Sequence, residues 1–176
     1  MALIGVRLAG KAGTTAGGTS VSLMTWTSAM SVGVPELDED HRVLIRIINQ
    51  LAESETDDDH AGILRQCLYS LLRYAEFHFA REEKVMTACD FPALTHHKEE
   101  HRAFTSHMQD LANALDDTEL PAAEIVNQDL LYYLKDWLNH HILIEDMAYR
   151  MLAESHPSAR EAAKTFRASE IWWTGR

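Results

Sequence analysis

Cysteine is scarce in this chain: Cys67 and Cys89 are the only two among 176 residues. Two thiols so far apart exclude a disulfide framework and a zinc knuckle. The expectation is a pair of free thiols in a reducing compartment, the cytoplasm. Basic charge is also short. With 16 Lys and Arg against 27 Asp and Glu, the formal net charge is −11. That balance excludes the basic footprint that a nucleic-acid or anionic-membrane surface requires. No apolar run approaches the ~20 residues needed to span a bilayer, and no segment reads as a convincing strand. What is present is length for about one domain, with 46% hydrophobic and 24% charged residues. Such a chain can bury a real core.

The first segment lacks acidic residues altogether, the first being Glu36. From Met1 to about Val34 it is rich in Gly, Ala, Ser and Thr, and Arg7 and Lys11 interrupt its only short apolar stretch. A secretory signal is therefore not expected. An organelle transit peptide shares the composition, but only the composition. The expectation is a disordered extension over residues 1–23, or a natural start at Met24, then a bundle over 24–154 and a tail over 155–176.

Helical periodicity dominates the rest. Pro35-Glu-Leu-Asp38 reads as a helix start with Asp38 as N-cap, followed by His41, Leu44, Ile45, Ile48 and Leu51 on one face. After a polar, acidic break over Glu53 to Asp59, a second stripe runs through Leu64, Cys67, Leu71, Tyr74, His78, Glu82 and Val85. Pro92 suits the first turn of a third helix, with Leu94, His97, His101, Phe104, Met108, Leu111 and Leu115 inward. Pro121 opens a fourth, whose stripe is Leu130, Leu134, Trp137, His141, Ile144 and Ala148. The fold class expected is all-α, an up-down-up-down four-helix bundle. A short helix after Pro157 would carry Trp172 and Trp173 onto it.

The histidines sit where Leu or Ile would be expected. Burying several imidazoles in one core is costly unless each finds a partner. A metal supplies one, and the second ring nitrogen can donate to a carbonyl or carboxylate. Histidine and carboxylate without cysteine suit iron or another first-row metal. His78/Glu82 and His97/His101 are four apart and so share a face. His141 and Asp146 are five apart, about 140° around an ideal helix. Their convergence needs a long reach or a local widening of the helix. His60, His96, His107, His140 and His156 are expected in loops or on the surface, His140 facing away from its neighbour.

At these residues the chain resembles the hemerythrin family, and more closely its single-domain bacteriohemerythrins. The matching stretches are Trp26 through Ser31-Val-Gly-Val-Pro-Glu-Leu-Asp-Glu-Asp-His41, Tyr74 through His78 and Glu82 to Met86, His97 through His101 to Phe104, and Trp137 through His141 to Asp146. The resemblance implies that His97, His101 and His141 ligate one iron, and His41 and His78 the other. Glu82 and Asp146 would bridge the two irons, with an oxo or hydroxo group between. It implies reversible dioxygen binding at the iron with two histidines, for transport, storage or delivery to an oxygen-using enzyme. Trp137, Ile144 and Phe104 are expected to wall the oxygen pocket, although core filling alone would also account for Trp137.

The enzyme alternative is a ferritin-like di-iron oxygenase or ferroxidase, built on Glu-x-x-His pairs and a carboxylate-rich site. No Glu-x-x-His occurs in this chain. Anionic carboxylates stabilise high-valent iron, whereas neutral imidazoles keep the ferrous state accessible, so a non-enzymatic carrier is expected. A sensor read by a partner, and peroxidase or nitric-oxide chemistry at the same iron, are the remaining alternatives.

Overall fold

Pro35 begins the first long helix, where its missing N–H removes no hydrogen bond. In this computed structural model, which describes residues 23–53, 60–117 and 123–164, α1 spans Pro35–Glu53 and α2 spans His60–Ala88. Helix α3 spans Leu94–Asp117 and α4 spans Ala123–His140. A π-helical turn at His141–Asp146 then leads without a break into α5, Met147–Ser155, and α6 follows at Pro157–Ala163. There is no strand among the described residues. Residues 1–22 of the expected extension over 1–23, most of the acidic break, Pro121, Trp172 and Trp173 lie outside those residues.

Asp38 is not the N-cap that the sequence suggested. It lies in the first turn of α1, and its carboxylate accepts from the Ser31 hydroxyl (2.6 Å) and the Val32 amide (2.9 Å). It therefore pins the preceding loop rather than the helix end. That loop turns at Gly33 with φ of 75°, and a Cβ there would collide with the Glu154 side chain. Pro92 likewise lies in the turn before α3, next to Asp90 with φ of 53°.

The helices form a bundle in which α1 and α3 pack on α2, and α4 contacts α1 and α2. Its core is divided in two. One cluster includes Leu44, Ile48, Leu71, Phe104, Met108 and Leu134. The other includes Val34, Leu37, Val85, Met86, Tyr149 and Ala159. In sequence, His41 falls between the two on α1, and Glu82 falls between them on α2. Helix α6 belongs to the second cluster: Ala159 and Ala163 are fully buried, and the Ser158 hydroxyl donates to the Ala88 carbonyl at 2.8 Å. The packed body therefore continues past the expected boundary at 154, because small residues four apart let α6 lie close on α2.

Candidate metal centre

Five imidazoles and two carboxylates converge between the two apolar clusters. His41, His78, Glu82, His97, His101, His141 and Asp146 are each at most 2% exposed. One oxygen of Glu82, Oε2, faces histidines from three helices: His101 Nε2 at 3.1 Å, His97 Nε2 at 3.4 Å, His141 Nε2 at 3.7 Å and His78 Nε2 at 3.8 Å. Asp146 presents an oxygen to each side. Its Oδ2 is 3.2 Å from His41 Nε2, while Oδ1 is 3.3 Å from His141 Nε2 and 3.6 Å from His97 Nε2.

The backbone explains how Asp146 reaches this point. A π-helical turn closes i to i+5 hydrogen bonds and so spends one more residue per turn than an α-helix. His141 and Asp146 therefore face the same way despite their spacing. The extra residue also shifts the inward stripe of everything that follows. Ile144, expected in the oxygen pocket, is 57% exposed, and Ala148 is also exposed. Asp146, Tyr149 and Ala153 take the inner positions instead, each fully buried.

Trp137 and Phe104 do stand beside the cluster. The indole of Trp137 stacks on His141 with centroids 4.3 Å apart, and Phe104 lies 4.1 Å from Trp137. Phe79, which periodicity did not single out, stacks on His101 at 3.8 Å with the rings 8° from parallel. These three rings border a small apolar cavity lined also by Ile48, Leu134 and Leu138. Tyr149 was missed as well: its buried hydroxyl donates to Glu82 Oε1 at 2.7 Å, leaving Oε2 to the histidines. The remaining histidines stay apart. His96 and His107 are exposed, His140 points outward to Glu145 at 3.3 Å, and His156 Nδ1 lies 2.8 Å from the Leu152 carbonyl at the end of α5. His60 begins α2 rather than lying in a loop.

The hydrogen bonding within the protein leaves this centre incomplete in a particular way. Among the described residues, His41 Nδ1 and Nε2, His78 Nε2, His97 Nδ1 and both Asp146 oxygens are buried without a hydrogen-bond partner. An unpaired buried polar group costs about 1–3 kcal/mol, and four of these six atoms face the common centre. Metal ions satisfy such atoms. The donor chemistry fits too: burial pushes His41 down to about 3 and His141 to about 4, which keeps both rings neutral and able to ligate. Burial raises Glu82, but hydrogen bonds from His101, His141 and His97 outweigh it and hold the carboxyl well below its usual range. Burial and the neighbouring Glu82 charge push Asp146 well above its usual range. Added positive charge between them would favour the ionised form of both.

A pH dependence follows. Burial lowers His101, but hydrogen bonds to Glu82 and Glu83 raise it further, to a net value above 6.5. A raised folded value means that protonated His101 stabilises the metal-free protein at low pH, and that this contribution is lost as pH rises through the folded value. A metal would compete with protons for His101 and Asp146, both of which their surroundings shift upward. Metal loading is expected to release protons, and affinity to fall as pH drops through the raised folded value of His101. Calorimetric titration in buffers of different ionisation enthalpy measures the release; loading with no proton release would contradict this assignment.

Comparison with known proteins agrees with the geometry. Residues 32–153 match the Hemerythrin HHE cation binding domain. The chain is 32% identical over 130 residues to a bacteriohemerythrin of Methylococcus capsulatus, covering 73% of this chain and 95% of that protein. It is 26% identical over 136 residues to one of Stenotrophomonas maltophilia, covering 77% and 85%. Among solved structures it is similar to wild-type hemerythrin, with a TM-score of 0.66, 27% identity, and coverage of 76% of this chain and 99% of that one. A match that runs from the loop before α1 into α5 and contains every one of the seven converging side chains shows that the chain belongs to the hemerythrin HHE cation-binding family.

Proposed function

We propose that this protein binds dioxygen reversibly at a non-haem di-iron centre held in an up-down-up-down four-helix bundle, serving oxygen transport, storage or delivery to an oxygen-using enzyme. One observation carries the reading: the side chains divide into two sets, each of which offers atoms within 4.8 Å of one another, namely Glu82, His97, His101 and His141, and His41, His78 and Glu82. Glu82 is common to both. His97, His101 and His141 would hold one iron, and His41 and His78 the other. Glu82 and Asp146 would span them, together with an oxo or hydroxo bridge. Two ferrous ions bound there supply two electrons and, on the histidine-poor side, an open coordination position. Delivery to a partner enzyme in the cytoplasm belongs to this reading.

The chain's own residues favour a carrier over a catalyst. Tyr149 holds Glu82 through Oε1, which keeps the carboxylate from swinging. Phe79 and Trp137 stack on two of the ligand rings and border an apolar cavity, a dry wall that would keep water and protons from that side of the centre. The centre gathers five imidazoles and two carboxylates rather than a carboxylate-rich set, and the Tyr149 hydroxyl is committed to Glu82. Turnover is therefore expected to be slow. The test is oxygen consumption by the reduced protein: about one dioxygen per iron pair, then no sustained uptake beyond autoxidation when an electron donor is present. Rapid continuous oxidation of a substrate would move the protein to the enzyme class. No helix among the described residues is long and apolar enough to cross a membrane.

A further inference from the structure

On the far side of His78 from the ligand cluster lies a buried polar group that the proposed function leaves unused. Tyr74, His78 and Arg81 share one face of α2 at helical spacing, and that face packs on α1 at Asp40. Arg81 Nη1 donates to both Asp40 oxygens at 2.6 Å. The Tyr74 hydroxyl donates to Oδ1 at 2.8 Å, and His78 Nδ1 lies 3.4 Å from Oδ2. All four side chains are buried. A buried ion pair is weak evidence of a stabilising role, since apolar residues of similar volume often serve as well.

We infer that Asp40 is the positioning residue of His78: pinned by Arg81 and Tyr74, it accepts the Nδ1 proton and so leaves the Nε2 lone pair aimed at the metal. An ionised carboxylate only accepts hydrogen bonds. When His78 ligates a metal, its one ring proton is therefore on Nδ1 and the lone pair is on Nε2. Nε2 is the nitrogen turned toward Glu82, at 3.8 Å. Each half of the centre has one ring held in this way. His101 Nδ1 has its own carboxylate, Glu83 Oε1 at 3.1 Å, held by Lys98 at 3.2 Å near the surface. His41 has none: its Nδ1 makes no hydrogen bond among the described residues. The histidine-poor half thus depends on Asp40 alone for a ring of fixed tautomer. The inference rests on the di-iron reading for what His78 holds, but not for how His78 is protonated.

Asp40→Asn tests it in the full chain. The amide oxygen goes to Arg81, which can only donate, and to the Tyr74 hydroxyl, and the NH2 turns toward His78. The ring proton is then expected to move to Nε2. Histidine nitrogen spectra of the metal-free protein read this directly, as a change from Nδ1–H in the parent to Nε2–H in the variant. Anaerobic titration with ferrous iron should show one of two irons weakened by roughly 10–100-fold, the usual effect of losing such a partner, and the other unchanged. Asp40→Ala combined with Arg81→Met leaves no guanidinium buried alone and serves if the first variant fails to fold. It should give a mixture of tautomers with the same selective loss of iron. A His78 that keeps Nδ1–H in both variants, or two irons weakened equally, overturns the inference. A parent protein with Nδ1–H on His78 that binds no iron supports the positioning and overturns the di-iron reading.

Discussion

Glu82→Ala is expected to empty the centre of both irons, whereas His41→Ala should retain at least one. Glu82 Oε2 is within 3.1 to 3.8 Å of four histidines drawn from both halves. His41 Nε2 lies against Asp146 at 3.2 Å on the side away from His97, His101 and His141, so its loss leaves that set intact. Two further consequences of Glu82→Ala add to the first. Tyr149, fully buried, loses its acceptor, and His101 loses one of the two carboxylates that face it. The loss in affinity should exceed the roughly 10–100-fold typical for an outer hydrogen-bonding partner. Iron content of the purified variants checks this, and full retention of both irons in Glu82→Ala would show that it does not span them.

Trp137→Ala carries the second large effect. Its indole is held between His141 and Phe104 and already borders an apolar cavity with Phe79 and Leu138. Removing it enlarges that cavity against the back of a ligand ring. The cost in stability is expected near 3 kcal/mol, the low end for an aromatic truncation, because Trp137 is only partly buried. Water then reaches the centre, and autoxidation should accelerate. Leu64→Ala separates the two effects. Leu64 is fully buried on α2, fourteen residues before His78 and so about 21 Å along the helix. Its truncation should cost a similar amount without touching the site. Equal autoxidation rates in the two variants would leave Trp137 as core filling and nothing more.

How far the site could be read from residues alone depended on where helical phase held. On α1, α2 and α3 the period never slips, and the inward stripes from His41 to Leu51, Leu64 to Val85 and His97 to Phe104 are all buried. Periodicity therefore placed His41, His78, Glu82, His97 and His101 correctly on one side of their helices. After His141 the same rule misplaced Ile144, because a regular period cannot register the π-helical turn that Asp146 requires. The five-residue spacing was the available signal, and following it through would have moved Ile144 outward and Tyr149 inward. Phe79 lies one position from the ligand stripe, where a helix wheel shows a neighbour rather than a stacking partner. Asp40 and Arg81 were missed for another reason. Charged residues on a helix are ordinarily solvated, and only the packing of α1 on α2 shows that this pair is buried together. At the other end, nothing in the composition of the tail indicated that Ala159 and Ala163 would dock on α2.

The central claim is a pair of irons that takes up oxygen and gives it back, and one optical experiment addresses it. The metal-free protein is titrated anaerobically with ferrous iron, exposed to oxygen, and then returned to an oxygen-free atmosphere while the visible spectrum is followed. Two irons per chain, with a visible band that rises on exposure and disappears on removal over repeated cycles, is the result predicted. A single metal per chain, or a band that persists once oxygen is withdrawn, would contradict it.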